Sequence, residues 1–489
     1  MLFNSRLFLI FFLAVTGLYF LIPHRFRWML LLGASIVFYM AFVPKYILLM
    51  LFIVAVDYAA ARMIENSSAD PKKKKYILIG ALFANLGLLG FFKYANFFAE
   101  NLEALAGLIN WNYGLPALSL ILPIGISFFT FQGLSYVLDV YWGRQKAERR
   151  FGMFFLFITF YPQLVAGPIE RTGHLLPQFS EVHRFDYQRA KQGIQLMLWG
   201  LFKKTVIADR AAILVNNVYA NALGADGFTL LAATIFFGFQ IYCDFSGYSD
   251  IAVGSAEVMG FRIMRNFDRP YFAKSIAEFW RRWHISLTSW FRDYLYIPLG
   301  GNRVAAPRWC FNIFLVFFVS GLWHGANWTF MIWGALHGAY FIASFLTRKW
   351  REAAAGFLRL GNGSPVRKII QAATTFSLVT FAWIFFRART LEDAIIIIGK
   401  LPEGIASVFR PGYILEILPQ WKLTGFELAL AAGAILFLLG VEFVQRGTPL
   451  RPLLNRLPVW GRWTLGYGLI LAVYLLGVFD DIEFIYFQF

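Results

Sequence analysis

His324 lies in Gly321-Leu322-Trp323-His324-Gly325-Ala326-Asn327-Trp328, inside an apolar stretch from about Phe311 to Leu346. Imidazole is the side chain best suited to moving a proton near neutral pH. Ionisable groups are costly at membrane depth and mostly face a bundle interior or a wet cavity. A histidine flanked by glycine and set between two tryptophans therefore reads as chemistry inside a membrane. The competing reading is a buried histidine that only bonds a neighbouring helix. His337 follows in Trp333-Gly334-Ala335-Leu336-His337-Gly338. Asn327 is expected to break any helix running through both histidines, and the structural reading weighs more for His337.

Three further groups carry chemistry. Tyr242-Cys243-Asp244-Phe245-Ser246-Gly247-Tyr248-Ser249-Asp250 reads as the end of an apolar span closed by two carboxylates, two tyrosines and a glycine. Carboxylates there orient a histidine, bind a cation or solvate a tunnel mouth; an ordinary polar helix end explains them as well. Lys274, Arg281, Arg282, His284 and Arg292 suit an anionic ligand such as the phosphates of a nucleotide carrier. A basic face on anionic lipid is the rival reading. The chain ends Phe484-Ile485-Tyr486-Phe487-Gln488-Phe489, either an aromatic anchor at the interface or a strand-like tail entering a groove. A tyrosine hydroxyl, pKa ~10, becomes a useful nucleophile only beside a base.

The elements that must position these residues are membrane helices. The 489 residues are 59% hydrophobic and 15% charged, where soluble domains carry about 25% charge. Apolar segments fall near 7–22, 28–43, 46–61, 76–95, 118–141, 191–218, 227–246, 309–324, 328–347, 368–386, 424–445 and 464–480. That is an all-α integral membrane protein with about 11–12 transmembrane helices plus re-entrant or interfacial ones. Segment 152–166 holds Tyr161-Pro162-Gln163 and ends in Gly167-Pro168, which fits a re-entrant path. Region 247–308 reads as cytoplasmic-side and interfacial, with 279–294 as an amphipathic helix. The whole of 1–489 reads as one polytopic domain, and Leu7 to Phe20 as a retained first span.

Charge sets the orientation. Arg62 with Lys72 to Lys75, then Arg144, Lys146, Arg149 and Arg150, mark cytoplasmic loops. The 96–116 loop carries Glu100 and Glu103 without Lys or Arg and falls outside, so alternation puts the N-terminus outside. Arg348, Lys349 and Arg351 fall inside on the same count, and the tail with Asp480, Asp481 and Glu483 outside. The net charge of +17 is spread over loops, which argues for the membrane rule and against nucleic acid. Cys243 and Cys310 read as free buried thiols, and no metal-ligand spacing appears.

Read together, the motifs resemble the membrane-bound O-acyltransferase (MBOAT) family, in its bacterial alginate O-acetyltransferase-like branch. The resemblance rests on Leu122-Pro123-Ile124-Gly125-Ile126-Ser127-Phe128-Phe129, on 160–169, on 244–250, on Phe279-Trp280-Arg281-Arg282-Trp283-His284-Ile285-Ser286-Leu287, on Gly321 to Gly325 and on Trp383-Ile384-Phe385-Phe386-Arg387-Ala388. Any one alone is weak; their joint order is specific. The resemblance implies a ring of helices around a central tunnel, with His324 as catalytic histidine and His284 and His337 in supporting roles. It implies that Tyr486 relays an acyl group outward.

The expected reaction is transfer of acetyl from cytoplasmic acetyl-CoA across a bacterial inner membrane for O-acetylation of an extracytoplasmic polysaccharide, alginate or a similar glycan. Catalysis would fall to His324, Tyr486 and His284. Binding would fall to Arg281, Arg282, Lys274, Asp244, Ser246, Asn327 and His337. No bound cofactor is expected. The partners are acetyl-CoA, a periplasmic or surface SGNH-type O-acetyltransferase, the polysaccharide and the lipid bilayer. A lysolipid acyltransferase of the same fold is the nearest rival, and the tail motif argues against it. A proton-coupled transporter predicts an inverted repeat, and the sequence shows none.

Overall fold

The computed structural model describes residues 1–489 except 112–113, 115–117, 119–121, 166, 362, 408–409, 422, 447–455, 480–483 and 486–489, and leaves aside the side chains of 414–415 and 419–420. Among the described residues there is no strand. The main helices are α1 (Arg6–Leu21), α2 (His24–Met40), α3 (Tyr46–Asn66), α4 (Pro71–Leu108), α5 (Ile126–Tyr141), α6 (Phe151–Thr159), α7 (Tyr187–Leu201), α8 (Asp209–Ala220), α9 (Gly227–Met259), α10 (Ile276–Arg282), α11 (Ile285–Phe291), α12 (Ala306–His324), α13 (Trp328–Leu346), α14 (Pro365–Arg387), α15 (Leu391–Ser407), α16 (Gly425–Val444) and α17 (Val459–Leu476). Eight of the described helices are long and apolar enough to cross a membrane: α3, α4, α9, α12, α13, α14, α16 and α17. Helix α1 is apolar but shorter, with 16 residues.

Local chemistry sets several starts. Ser5, Asp70, Asn327, Ser364 and Thr424 each accept a backbone N–H of the following turn, satisfying a donor that a helix N-terminus leaves open. Proline stands in the first turn of α4, α12 and α14, where its missing N–H costs nothing. At Thr424 the cap is reciprocal, because Glu427 reaches back to the Thr424 backbone.

The described residues cluster into two compact units. One comprises Met1–Leu196, Ile251–Arg265 and Arg292–Tyr294; the other comprises Met197–Asp250, Asn266–Phe291 and Leu295–Phe489. In the first, α3, α4 and α5 pack together and α2 packs on α6. Asp57 of α3 is fully buried and accepts the Asn85 side-chain amide of α4 at 2.7 Å. Glu170 is likewise buried; it accepts the Met264 backbone N–H and pairs with His174 Nδ1 at 2.8 Å. That partnership raises the His174 pKa.

Several sequence expectations change in the structure. The 96–116 loop is helical as far as Leu108, because α4 runs for 38 residues. At 1.5 Å per residue this is about 57 Å, well beyond a ~30 Å hydrocarbon core. Segment 191–218 is not one α-helix: a π-helical stretch, Phe202–Ala208, separates α7 from α8. Segment 152–166 breaks at Phe160 into α6 and a single turn, Tyr161–Leu164. The polar region expected from Gly247 starts later, since α9 continues to Met259. Residues 279–294 do not form one interfacial helix; they split into α10 and α11 at Trp283–His284, with their aromatic side chains buried. Both cysteines are free, but Cys310 is only half-buried.

In the second unit α12 and α13 pack along one another, the most extensive helix pair among the described residues. They approach at two glycines. A Cβ on Gly321 would run into the Phe330 carbonyl oxygen, and one on Gly334 into that of Phe317. Small residues at such a crossing let two membrane helices pack backbone to backbone. Gly334→Ala is therefore expected to destabilise the protein by about 1–3 kcal/mol, as overpacking does. Gly433→Ala in α16, where a Cβ meets open space, serves as the control and costs nothing. Thermal unfolding of the detergent-solubilised variants measures the difference.

Candidate active site

Helix α12 ends at His324, and Asn327 starts α13 three residues on. The Asn327 side-chain oxygen Oδ1 accepts the Thr329 N–H at 3.0 Å, and its Nδ2 donates to the Arg389 backbone carbonyl at 3.0 Å. The expected helix break at Asn327 is thus present, and its side chain is engaged on both sides. His324 is 4% exposed. Its ring centre lies 4.9 Å from Trp323, 5.0 Å from Trp333 and 5.3 Å from Phe386.

His337 comes to the same enclosure from the neighbouring helix. Trp333 stands 5.0 Å from each imidazole, edge-on to both. The other face of the cage is Trp383, stacked on Trp333 at 5.8 Å. The Trp280 indole N–H donates to His337 Nδ1 at 3.3 Å. An indole nitrogen only donates, so this bond requires an unprotonated Nδ1 and places the proton of the neutral ring on Nε2.

His284 sits at the break between α10 and α11 with φ +43, a left-handed conformation uncommon for a residue with a Cβ. The Asn266 carbonyl accepts the Ile285 N–H at 2.9 Å and the Asn266 side chain accepts that of Ser286 at 3.2 Å. These two bonds hold the chain in its bend. The ring is fully buried against Phe245 at 4.7 Å and Trp323 at 6.1 Å. Burial pushes its pKa down to about 3, so the imidazole is neutral at physiological pH.

The Asp244–Asp250 motif lies in the interior of α9 rather than at a helix end. The reason is two lysines that the sequence reading passed over. Tyr242, Ser246 and Asp250 recur every four residues and share a face. Lys203 meets that face: its Nζ is 2.7 Å from Asp250, 2.8 Å from Ser246 and 5.9 Å from the Tyr242 ring centre. Asp244 and Tyr248 share a second face, met by Lys204 at 2.8 Å and 5.7 Å. Lys204 also bonds Asp209 at 2.8 Å. Lys204 and Asp209 are five residues apart, a spacing the π-helical turn aligns; the Asp209 N–H donates to the Lys204 carbonyl. Glu442 of α16 is buried too and accepts the Tyr242 hydroxyl. The signal that could have found this cluster was Lys203, Lys204, Asp209 and Arg210 close together inside the apolar segment 191–218.

The chain end reaches the same cluster. The Arg210 side chain donates to the Leu476 carbonyl at 2.6 Å, and the Val478 N–H donates to that of Thr205 at 2.9 Å. Phe484 and Ile485 are buried. The Ile485 N–H donates to Asp244 Oδ2 at 2.8 Å, and Phe484 packs 4.3 Å from Tyr248 and 5.9 Å from Phe245. For these two residues the tail enters the protein rather than anchoring at an interface. Tyr486, with 487–489, lies outside the described residues.

Ring contacts therefore run without interruption from Phe484 through Phe245, His284 and Trp323 to His324. The basic residues of the sequence reading behave differently from one another. Arg281 is exposed. Arg282 is bound to Glu278 at 2.6 Å. Lys274 is half-buried, and its backbone N–H donates to the same Glu278 carboxylate at 2.8 Å. Asp244 and Ser246 belong to the lysine cluster.

The family model for membrane-bound O-acyltransferases matches residues 150–386, a stretch that runs from α6 to the last turn of α14 and includes His284, His324 and His337. The chain is 38% identical to a probable alginate O-acetylase of Pseudomonas putida over 88% of this chain and 84% of that protein. It is 40% identical to a probable alginate O-acetylase of Pseudomonas aeruginosa, over 81% of this chain and 73% of that one. A peptidoglycan O-acetyltransferase of Helicobacter pylori is 36% identical, over 81% and 78% respectively. With its apolar spans, its helical architecture and these relatives, the chain belongs to the membrane-bound O-acyltransferase family and is an acyltransferase.

Proposed function

We propose that the protein takes acetyl from acetyl-CoA on the cytoplasmic side of a bacterial inner membrane and delivers it for O-acetylation of a polysaccharide outside. The single observation that carries the reading is the line of ring contacts joining His324 to the buried start of the C-terminal tail. The relatives named as alginate and peptidoglycan O-acetylating enzymes support a glycan as final acceptor. The basic loops expected inside support a topology with the N-terminus outside.

In the proposed reaction His324 takes the proton of an acceptor hydroxyl. The oxygen attacks the thioester carbonyl carbon, the carbon–sulfur bond breaks, and the departing thiolate receives the proton from the imidazolium. Tyr486 is the first acceptor, and a separate SGNH-type transferase outside moves the acetyl on to the glycan. His284 and His337 support the site, His284 from beside Trp323 and His337 from beside Trp333. Arg281, Arg282 and Lys274 are the proposed phosphate partners of acetyl-CoA; of these Arg281 is exposed. Asn327, with both sides of its amide engaged, serves by fixing the α12–α13 turn.

Replacing His324 with alanine is expected to slow acetyl-CoA consumption about 10²–10⁴-fold, the usual worth of general base catalysis. A spectrophotometric thiol-release assay reads this, and a His324→Ala protein with normal turnover would sink the assignment. After incubation with acetyl-CoA, mass spectrometry of the C-terminal peptide is expected to find one acetyl group on Tyr486. The mass should be absent in Tyr486→Phe and in His324→Ala. Thiol release without any tail modification would mean direct transfer to an external acceptor.

A further inference from the structure

We infer that the buried Lys204–Asp244–Asp209 cluster is a dock for the chain's own C-terminal tail, with Asp244 as the positioning residue. Asp244 divides its two oxygens. Oδ1 is paired with Lys204 at 2.8 Å, and Oδ2 accepts the Ile485 backbone N–H at 2.8 Å. The first bond fixes the carboxylate, because Lys204 is itself held by Asp209. The second bond fixes the residue that immediately precedes Tyr486 in the chain. Phe484 supplies the apolar half of the dock, set between Tyr248 and Phe245 on the same helix as Asp244.

Two more bonds lead the chain to this point. Arg210 and Thr205 hold Leu476 and Val478, and both lie in or next to the π-helical stretch that carries Lys204. The tail is thus gripped by one short segment and one face of α9. A backbone amide bonded to a buried, ion-paired carboxylate is a stronger hold than a neutral contact. The dock stands on these contacts alone. Its purpose, setting the distance at which Tyr486 meets the acyl donor, rests on the relay reading above.

Hydrogen exchange of the C-terminal peptide in the full-length, detergent-solubilised protein tests the dock. The Ile485 amide is expected to be protected in the natural protein. Phe484→Ala keeps every ion pair intact and should speed its exchange about tenfold to a hundredfold. Asp244→Ala should do the same if the protein folds. Asp244→Asn, whose amide oxygen still accepts the N–H, should retain part of the protection. Amides of α12 and α13 should not change in Phe484→Ala. An unprotected Ile485 amide, or one indifferent to Phe484→Ala, overturns the dock.

Turnover separates the two claims. Loosening the tail by Phe484→Ala is expected to lower kcat for acetyl transfer and leave KM for acetyl-CoA unchanged. Loss of protection with unchanged kcat would overturn the positioning role and leave the dock. Full turnover in Tyr486→Phe with a protected Ile485 would defeat the relay reading while the dock stands.

Discussion

Lys204 between Asp209 and Asp244 is the interaction on which the second unit most depends. All three side chains are buried. A charge removed from water costs several kcal/mol unless it is paired with good geometry, and stripping one partner leaves that cost exposed. Lys203 with Asp250 and Ser246 repeats the arrangement one residue away. Adjacent residues on a helix point in different directions, so the two lysines reach two different faces of α9. One residue pair thereby ties the π-helical segment to the middle of α9.

The aromatic enclosure depends on a different constraint, the close passage of α12 and α13. Glycines at the crossing allow the backbones to meet, and the meeting puts Trp333 between His324 and His337. The two histidines are thirteen residues apart in the chain and yet share one tryptophan, because Asn327 turns the chain back. Trp383 and Phe386 of α14 close the cage from another element. These three helices bring apolar rings around a polar group, which lowers the local dielectric and strengthens any hydrogen bond or charge formed there.

Most of the elements were legible in the sequence. The spans around 46–61, 309–324, 328–347, 368–386 and 424–445 lie where hydropathy put them, with helix ends shifted by a few residues. The break at Asn327 was legible too, since an asparagine side chain caps the helix that follows it. What misled was treating charge as punctuation. Asp244 and Asp250 looked like the end of a span, and Glu100 and Glu103 like a loop. Helix α9 passes through its carboxylates because lysines neutralise them, and α4 extends beyond the apolar part with Glu100 and Glu103 exposed.

The sequence by itself determined the membrane class, the order of the apolar helices, their caps and the family to which the motifs belong. Hydrophobic length, capping and proline effects act within a few residues and can be read along the chain. The tertiary structure alone decided that Lys204 meets Asp244, that His284 sits in a left-handed bend under Phe245, and that the chain end returns to α9. Asp244 and Ile485 are 241 residues apart. A contact of that separation leaves no local periodicity in the sequence, and it exists only because packed helices bring the two ends of the bond together.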